Sequence, residues 1–214
     1  MFIINKIELE NFKSFCEKTT IRFSDWFNVI TGCNGAGKSN LISAIKFVLM
    51  PDELSRDTEK FITGGKIYTR VSAVVTLPLD TGAIKIIRLT RTLYEHTFKY
   101  FIDEKEVGLL EYKSVTALFQ ATGARLIDTS DFLYMNDFLE SEIAKASRNN
   151  QYIVVSLKEI DSADETIYVT QDENGYSKAE VKEIDYYTKY YGEWRFLMEI
   201  SVKTALGMIK QKPE

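Results

Sequence analysis

The stretch that decides the fold of this protein is Thr31-Gly32-Cys33-Asn34-Gly35-Ala36-Gly37-Lys38-Ser39-Asn40. Its pattern, G-x-x-x-x-G-K-S, is that of a loop whose backbone N–H groups cradle phosphate. An apolar run at residues 27–30 precedes the stretch, and an amphipathic segment at residues 41–49 follows it. A buried strand before the loop and a helix after it separate such a loop from an ordinary glycine-rich turn, the alternative interpretation. The sequence therefore predicts a site for a nucleotide phosphate.

The residue types in this loop match the chemistry of phosphate binding. Its glycines let the backbone turn N–H groups inward without a Cβ in the way. The N-terminal end of the following helix adds a positive potential that favours an anion. Lys38 would reach the β- and γ-phosphates, and the Ser39 hydroxyl would ligate Mg²⁺. The predicted nucleotide-binding residues of the loop are Gly32, Asn34, Gly35, Ala36, Gly37, Lys38, Ser39 and Asn40.

Composition and charge restrict the class of protein. The 214 residues are 45% hydrophobic, which indicates a packed core and not disorder. A net charge of −4 gives no global basic field, so DNA contact needs a local patch or a partner chain. The two cysteines, Cys16 and Cys33, do not suggest a disulfide framework. No apolar stretch approaches the roughly 18 residues of a membrane span. Since no signal-peptide pattern begins the chain either, we expect an intracellular protein without membrane contact.

Hydrophobic periodicity predicts an α/β fold. The segments rich in β-branched and aromatic residues after the loop helix predict an antiparallel meander, and the continuous apolar run at residues 152–155 predicts a buried parallel strand. Val115, Leu118 and Phe119 have helical spacing. The predicted strands are residues 3–12, 20–23, 27–30, 68–77, 83–93, 97–102, 152–155, 166–170 and 177–184, and the predicted helices are residues 39–50, 112–123, 138–146 and 194–209. The first two strands are predicted to pair as one hairpin, and the last two as another across the turn at residues 172–175.

This order of elements resembles the ATPase heads of the structural-maintenance-of-chromosomes (SMC) family, which are relatives of the ABC ATPases. Residues 7–15, Ile-Glu-Leu-Glu-Asn-Phe-Lys-Ser-Phe, resemble the family's N-terminal strand and turn, and residues 31–49 resemble its extended phosphate loop and helix. The resemblance implies an ABC-type P-loop ATPase head, with a mixed core sheet and an antiparallel β-meander, that binds ATP and Mg²⁺. Arg56 matches a family arginine that lies near the γ-phosphate and contacts DNA. A solvated loop arginine is the alternative.

A second block narrows the resemblance to the first cohesin SMC subunit. Residues 99–107 are similar to a strand–turn–strand of that subunit, and residues 132–141 fall where the family places its Q-loop. The family's Q-loop glutamine ligates Mg²⁺, and the matching residue here is Asn136, whose amide is one methylene shorter. A degenerate Walker B strand and a plain strand end are the alternatives for this segment.

A third block resembles the end of the C-terminal half-head. Residues 146–159 are similar to the segment with the switch loop, where Ser156 and Leu157 replace the histidine of many relatives. Residues 163–184 resemble the last two strands of the head. The resemblance implies an N-terminal half-head at residues 1–140 and the end of the C-terminal half-head at residues 141–187. Residues 188–214 would form a terminal helix or tail.

Several family features have no counterpart in this sequence. Sustained heptads for a coiled coil, a hinge, the signature motif Leu-Ser-Gly-Gly and an apolar strand ending in Asp-Glu are not found. We therefore expect ATP binding, with slow or no hydrolysis by this chain alone, and its status as an enzyme stays open. A natural small head and an incomplete gene product are both compatible with this pattern.

The leading functional hypothesis is a reduced, cohesin-like head in chromosome organisation or sister-chromatid cohesion, located on chromosomes in the nucleus. Its expected partners are a second SMC head and a kleisin C-terminal domain, with DNA bound weakly and through the complex. A non-enzymatic protein that caps a full-length head is the alternative. A P-loop kinase or GTPase is disfavoured, because a meander follows the loop helix and the guanine-reading Asn-Lys-x-Asp is missing.

Overall fold

The described strands of this protein form two β-sheets. Apolar residues alternate with polar ones in a stretch such as residues 7–10 of the first sheet, and they are continuous in a strand such as residues 152–155 of the second. The computed structural model describes residues 2–52, 58–78, 82–122, 125–128, 151–156, 160 and 163–181. These residues lie in one compact unit, Met1–Val181. The helices predicted at residues 138–146 and 194–209, and the domain boundaries near residues 140 and 187, fall outside the described residues.

The elements follow the predicted order closely, with bounds that differ by a few residues. They are β1 (Ile3–Glu10), β2 (Thr19–Arg22), β3 (Phe27–Gly32), α1 (Lys38–Leu49), a short 3₁₀ turn (Thr58–Phe61), β4 (Tyr68–Pro78), β5 (Ile84–Tyr94), β6 (Thr97–Ile102), β7 (Lys105–Val107), α2 (Leu109–Thr122), β8 (Arg125–Asp128), β9 (Tyr152–Val155), β10 (Glu165–Gln171) and β11 (Ser177–Val181).

The antiparallel sheet has the strand order β2-β1-β4-β5-β6-β7. The predicted hairpin of β1 with β2 and the predicted meander are both confirmed. The structure joins them into one sheet, because β1 pairs with β4 over the whole length of β1. Side chains alternate along β1, with Ile7 and Leu9 buried on the inner face and Glu8 on the outer face.

The core sheet has the order β11-β10-β3-β9-β8. Its central strand, β3, is parallel to β9 on one side and to β10 on the other. The buried parallel strand predicted at residues 152–155 is therefore confirmed, and so is the hairpin of β10 with β11. The sequence analysis did not predict β8, a four-residue strand parallel to β9.

Helix α1 packs against strands of both sheets. Seven apolar side chains of this twelve-residue helix are buried, which is more than one face of a helix can present to a single sheet. A buried amide adds a polar link between the sheets. Gln151, directly before β9, accepts a hydrogen bond from the Ile4 N–H (2.8 Å) and donates one to the Ile4 carbonyl (2.8 Å). It thereby extends the hydrogen bonding of β1 towards the core sheet.

Two buried side chains cap the C-terminal end of α1, where helix carbonyls lack intrahelical partners. Arg91 donates from Nη1 to the Phe47 carbonyl (3.0 Å), and Tyr112 donates from its hydroxyl to the Val48 carbonyl (2.7 Å). The guanidinium carbon lies 4.7 Å from the ring centre of Phe47 and 4.1 Å from that of Phe98. Burial lowers the pKa of Arg91 and raises the pKa of Tyr112. The end of the helix is therefore fixed by polar groups that are held away from water.

Helix α2 starts three residues before its predicted position, and its buried face differs from the predicted one. Phe119 is buried as expected, but Leu118 is 48% exposed, and Thr116 takes a buried position in its place. Among the residues that the structure describes, no helix is both long enough and apolar enough to cross a membrane.

The outer face of the antiparallel sheet carries a network of charged side chains. Glu8 of β1 contacts Arg88 of β5 (2.7 Å) and Lys6 (2.6 Å), and Arg88 also approaches Glu104 (3.5 Å). Burial by itself would raise the pKa of Glu8. The hydrogen bonds and charges of Arg88 and Lys6 outweigh this effect and lower the pKa of Glu8 to about 2. The network links β1 to β5 across the intervening strand β4.

Replacing Arg91 tests the cap of α1. We expect Arg91→Ala to lower the free energy of unfolding by about 3 kcal/mol, because it removes buried volume and leaves a helix carbonyl without its donor. Urea unfolding followed by circular dichroism measures this change. The matched control is Arg22→Ala, since Arg22 is exposed on β2 and its loss is expected to cost less than about 0.5 kcal/mol. Equal losses in the two variants would contradict the assigned role.

The Glu8 network predicts a pH dependence of stability. A carboxyl group with a lowered pKa in the folded state stabilises the protein above its unfolded-state pKa, and this stabilisation is lost as the pH falls towards the folded pKa. The stability difference between wild type and Glu8→Gln should therefore be largest above pH 5 and shrink between pH 4.5 and about 2. Urea unfolding at a series of pH values measures it. A difference that is constant over this range would contradict the low pKa.

Candidate nucleotide-binding loop

The phosphate loop, residues 31–40, leaves the carboxyl end of β3 and leads into the first turn of α1. In open sheets of this kind, ligands bind at the carboxyl ends of the parallel strands. Gly37 is the N-cap residue of α1 with φ 106°, and no side chain caps this end of the helix. The N–H groups of Lys38 and Ser39 precede the first backbone hydrogen bonds of the helix, which Asn40 and Leu41 donate to the Gly37 carbonyl, and they carry the positive end of the helix dipole. This geometry suits an anionic group placed in the loop.

Lys38 and Ser39 occupy the first turn of the helix and differ in exposure. The Lys38 side chain is buried, and its ammonium donates to the carbonyls of Gly32 (2.8 Å) and Cys33 (2.9 Å). It therefore lies along the inside of the phosphate loop. Ser39 is exposed. The two side chains that the sequence analysis assigned to phosphate and to metal are thus adjacent at the same end of the helix.

Two of the predicted glycines are required by close contacts. Gly32 has φ 148°, and a Cβ at this position would overlap the carbonyl oxygen of Val169 in β10. Gly37 also has a positive φ, and a Cβ there would overlap the hydroxyl oxygen of Ser177 in β11. The β10–β11 hairpin therefore lies directly against the phosphate loop. These contacts need glycine for space as well as for backbone conformation.

The N-terminal turn at residues 11–15 supports the loop from another side. Asn40, a predicted nucleotide-binding residue, donates from its side-chain amide to the hydroxyl of Ser14 (2.8 Å), and its backbone N–H donates to the Gly37 carbonyl (3.0 Å). Asn34 and Gly35 are exposed at the tip of the loop, and Ala36 is buried behind it. The structure thus brings together all eight residues assigned from the loop motif.

The other two predicted site residues, Arg56 and Asn136, lie outside the described residues. The sequence analysis missed Ser14, Gln171 and Ser177, which contact the loop from distant parts of the chain. Within the described ranges, no group of three or more His, Cys, Asp or Glu side chains is arranged to hold a metal ion.

Comparisons with known proteins agree with this geometry. The family model described as the RecF/RecN/SMC N terminal domain matches residues 3–125. The chromosome partition protein Smc of Halothermothrix orenii is 32% identical over 135 residues, which make up 56% of this chain and 11% of that protein. Structural maintenance of chromosomes protein 3 of Arabidopsis thaliana is 34% identical over 114 residues, which make up 49% of this chain and 10% of that protein.

A solved structure shows the same fold. It is the Smc head domain of Pyrococcus furiosus with an extended coiled coil, bound to the C-terminal domain of ScpA. The TM-score is 0.71 at 15% sequence identity, and the match covers 91% of this chain and 100% of that chain. The likeness establishes the arrangement of the sheets and the helix between them.

The fold and the phosphate loop define an ABC-type P-loop ATPase head. The chain belongs to the RecF/RecN/SMC N-terminal domain family, because the family model covers more than half of it. It spans about a tenth of the length of the relatives described above. The similar proteins include a bacterial Smc and a plant structural maintenance of chromosomes protein 3, so they do not select the first cohesin subunit.

Substitution of Gly32 tests the contact between the loop and β10. We expect Gly32→Ala to lower the free energy of unfolding by about 3 kcal/mol, since a Cβ overlaps the Val169 carbonyl and φ is positive. Gly35→Ala is the matched control, because Gly35 also has a positive φ but no atom near the added Cβ. Its expected cost is about 1–2 kcal/mol. Urea unfolding of both variants measures the two changes in free energy. A Gly35 variant that is as unstable as the Gly32 variant would contradict the contact between the loop and β10.

Proposed function

We propose that this protein is an ATP-binding SMC head module in chromosome organisation. The observation that carries the proposal is the start of α1. There, an uncapped helix N-terminus, the buried Lys38 ammonium and the exposed Ser39 meet in one glycine-rich loop. Backbone N–H groups and a lysine in this arrangement bind the phosphate oxygen atoms of a nucleoside triphosphate. We assign Gly32, Asn34, Gly35, Ala36, Gly37, Lys38, Ser39 and Asn40 to this site.

Mg²⁺ fits the same end of the helix. It prefers oxygen ligands, retains several waters, and is bound through one or two protein groups together with substrate phosphates. The exposed Ser39 hydroxyl is the protein ligand proposed here, and the cation would offset the negative charge of the phosphates. Asn136 as a second ligand and Arg56 near the γ-phosphate extend the proposal on the strength of the resemblance to SMC heads. The chemistry proposed for the described residues is binding and orientation of the triphosphate.

The core sheet supports the division into two half-heads. β3 and β8 belong to residues 1–140, and β9, β10 and β11 belong to residues 141–187. Because strands of the second segment pair directly with β3, we propose that both segments build one head around the phosphate loop. The terminal helix or tail at residues 188–214 stays a prediction.

The proposed partners are a kleisin C-terminal domain and a second SMC head. The Pyrococcus furiosus head was solved with the C-terminal domain of ScpA, which supports a partner of the kleisin type for this chain. We place that docking surface on the last strands, around β10 and β11. DNA binding is proposed to be weak for the chain alone, because the net charge is −4. The resemblance supports three finer proposals. The process is sister-chromatid cohesion, the counterpart of this chain is the first cohesin subunit, and the location is the nucleus.

Nucleotide binding is tested by replacing the loop lysine. We expect Lys38→Ala to weaken Mg²⁺–ATP binding roughly 10- to 100-fold, because it removes a charged donor to the phosphates. Titration of a fluorescent ATP analogue with wild type and variant measures the change. Lys46→Ala is the matched control, since Lys46 lies in the last turn of the same helix and its loss removes the same charge.

Two results would count against the proposal. Wild-type protein that does not bind the analogue at millimolar concentration would overturn ATP binding. An equal loss of affinity in the Lys46 and Lys38 variants would show that the effect comes from net charge and not from the loop. Co-purification with a kleisin C-terminal fragment tests the partner assignment separately.

A further inference from the structure

The β10–β11 hairpin holds the phosphate loop by two side-chain hydrogen bonds to loop carbonyls. Ser177, the first residue of β11, donates from its hydroxyl to the carbonyl of Ala36. Gln171, the last residue of β10, donates from its amide to the carbonyl of Gly35 (3.1 Å) and to that of Gly175 (3.3 Å). Consecutive peptide groups of the loop are therefore fixed by side chains that lie about 140 residues away in the sequence.

These bonds determine where the next N–H group of the loop points. In a planar trans peptide, the carbonyl of one residue and the N–H of the following residue point in opposite directions. Because Ser177 binds the carbonyl of Ala36, the N–H of Gly37 is directed away from the hairpin. By the same geometry, Gln171 directs the N–H of Ala36, which bonds to the Cys33 carbonyl (3.1 Å) and closes the tight turn of the loop. Ser177 therefore acts on the N–H that directly precedes the helix.

Ser177 is itself held in place. It is buried, with 3% of its surface exposed, and its backbone N–H donates to the carbonyl of Ser14 (2.8 Å). The Ser177 and Ser14 hydroxyl oxygens both lie too close to the position of a Gly37 Cβ to leave room for one. Gln171, in contrast, is exposed. The Ser177 hydroxyl is buried, closely packed against Gly37 and anchored by its own backbone. It can therefore hold a peptide plane in one orientation more firmly than the exposed Gln171 amide can.

We propose that Ser177 is a positioning residue for nucleotide binding, which orients the Gly37 N–H away from the hairpin and towards the bound phosphates, and that Gln171 has a smaller role of the same kind. The proposal rests on the ATP binding proposed above and adds to it a residue that the loop motif does not contain. Its physical basis is preorganisation: an N–H group that is already oriented does not have to be ordered when the ligand binds.

The test compares Ser177→Ala with Thr170→Ala. Thr170 is exposed on the same hairpin, so its loss removes a hydroxyl without touching the loop. Titration with a fluorescent ATP analogue should show about five- to tenfold weaker binding for the Ser177 variant and unchanged binding for the Thr170 variant. Gln171→Ala should weaken binding about two- to threefold.

A spectroscopic measurement separates positioning from a general structural role. In a protein with ¹⁵N-labelled glycine, Ser177→Ala should move the amide resonance of Gly37 while the resonances of Gly65, Gly82 and Gly108 stay in place. Urea unfolding midpoints show whether each variant is folded. If Ser177→Ala does not fold, the Gln171 variant decides the proposal through its ATP affinity and, in protein with ¹⁵N-labelled alanine, through its effect on the Ala36 amide resonance.

The outcomes distinguish this inference from the proposed function. Wild-type affinity in Ser177→Ala together with an unmoved Gly37 resonance would overturn the positioning role and leave ATP binding intact. Wild-type protein that fails to bind ATP would overturn the proposed function, and the Gly37 resonance would still decide whether Ser177 orients the loop. Weaker binding in both the Ser177 and the Thr170 variants would show a general effect of the hairpin and overturn the specific role.

Discussion

The parallel pairing of β3 with β10 is the constraint on which the geometry of the phosphate loop, the proposed nucleotide site, depends. It brings the carbonyl of Val169 so close to Gly32 that no side chain fits at the start of the phosphate loop. Because β11 pairs with β10, the same arrangement places β11 next to the loop, where the Ser177 hydroxyl donates to the Ala36 carbonyl. A loop rich in glycine would otherwise have considerable conformational freedom. The neighbouring strands remove that freedom before a ligand arrives, so the N–H groups need less ordering on binding.

Helix α1 connects this site to the rest of the head. Its N-terminal end presents the first-turn N–H groups, and its apolar body lies between the two sheets. Arg91 and Tyr112, from the antiparallel sheet and from α2, fix the opposite end. Since the helix is packed on both sides and capped by buried groups, it cannot easily shift along its axis. The positions of Lys38 and Ser39 relative to β3 are therefore set by packing as well as by the local loop.

Local pattern was enough to predict most of the elements. The motif at residues 31–40 predicted the strand, loop and helix around it, and turn residues between β-branched runs predicted the meander and the last hairpin. Leu118 shows where periodicity fails, because the surface against which α2 packs decides which face is buried, and that surface includes β6, Phe2 and the end of α1. The strand β8 was missed since only two of its four residues are apolar, so it lacks the continuous run that marked β9, and its pairing with β9 supplies the backbone hydrogen bonds.

The sequence by itself predicted the chemistry of the loop: which glycines permit the turn, which lysine would reach the phosphates, and which serine would offer a hydroxyl to a metal ion. These depend on residue type and on spacing within ten residues, so they can be read without a fold. Only the tertiary structure decided what holds the loop. Ser14, Gln171 and Ser177 are ordinary polar residues in the sequence. They contact the loop because the pairing of β10 with β3 and the N-terminal turn bring distant segments of the chain next to it. Contacts across about 140 residues leave no local pattern from which they could be predicted.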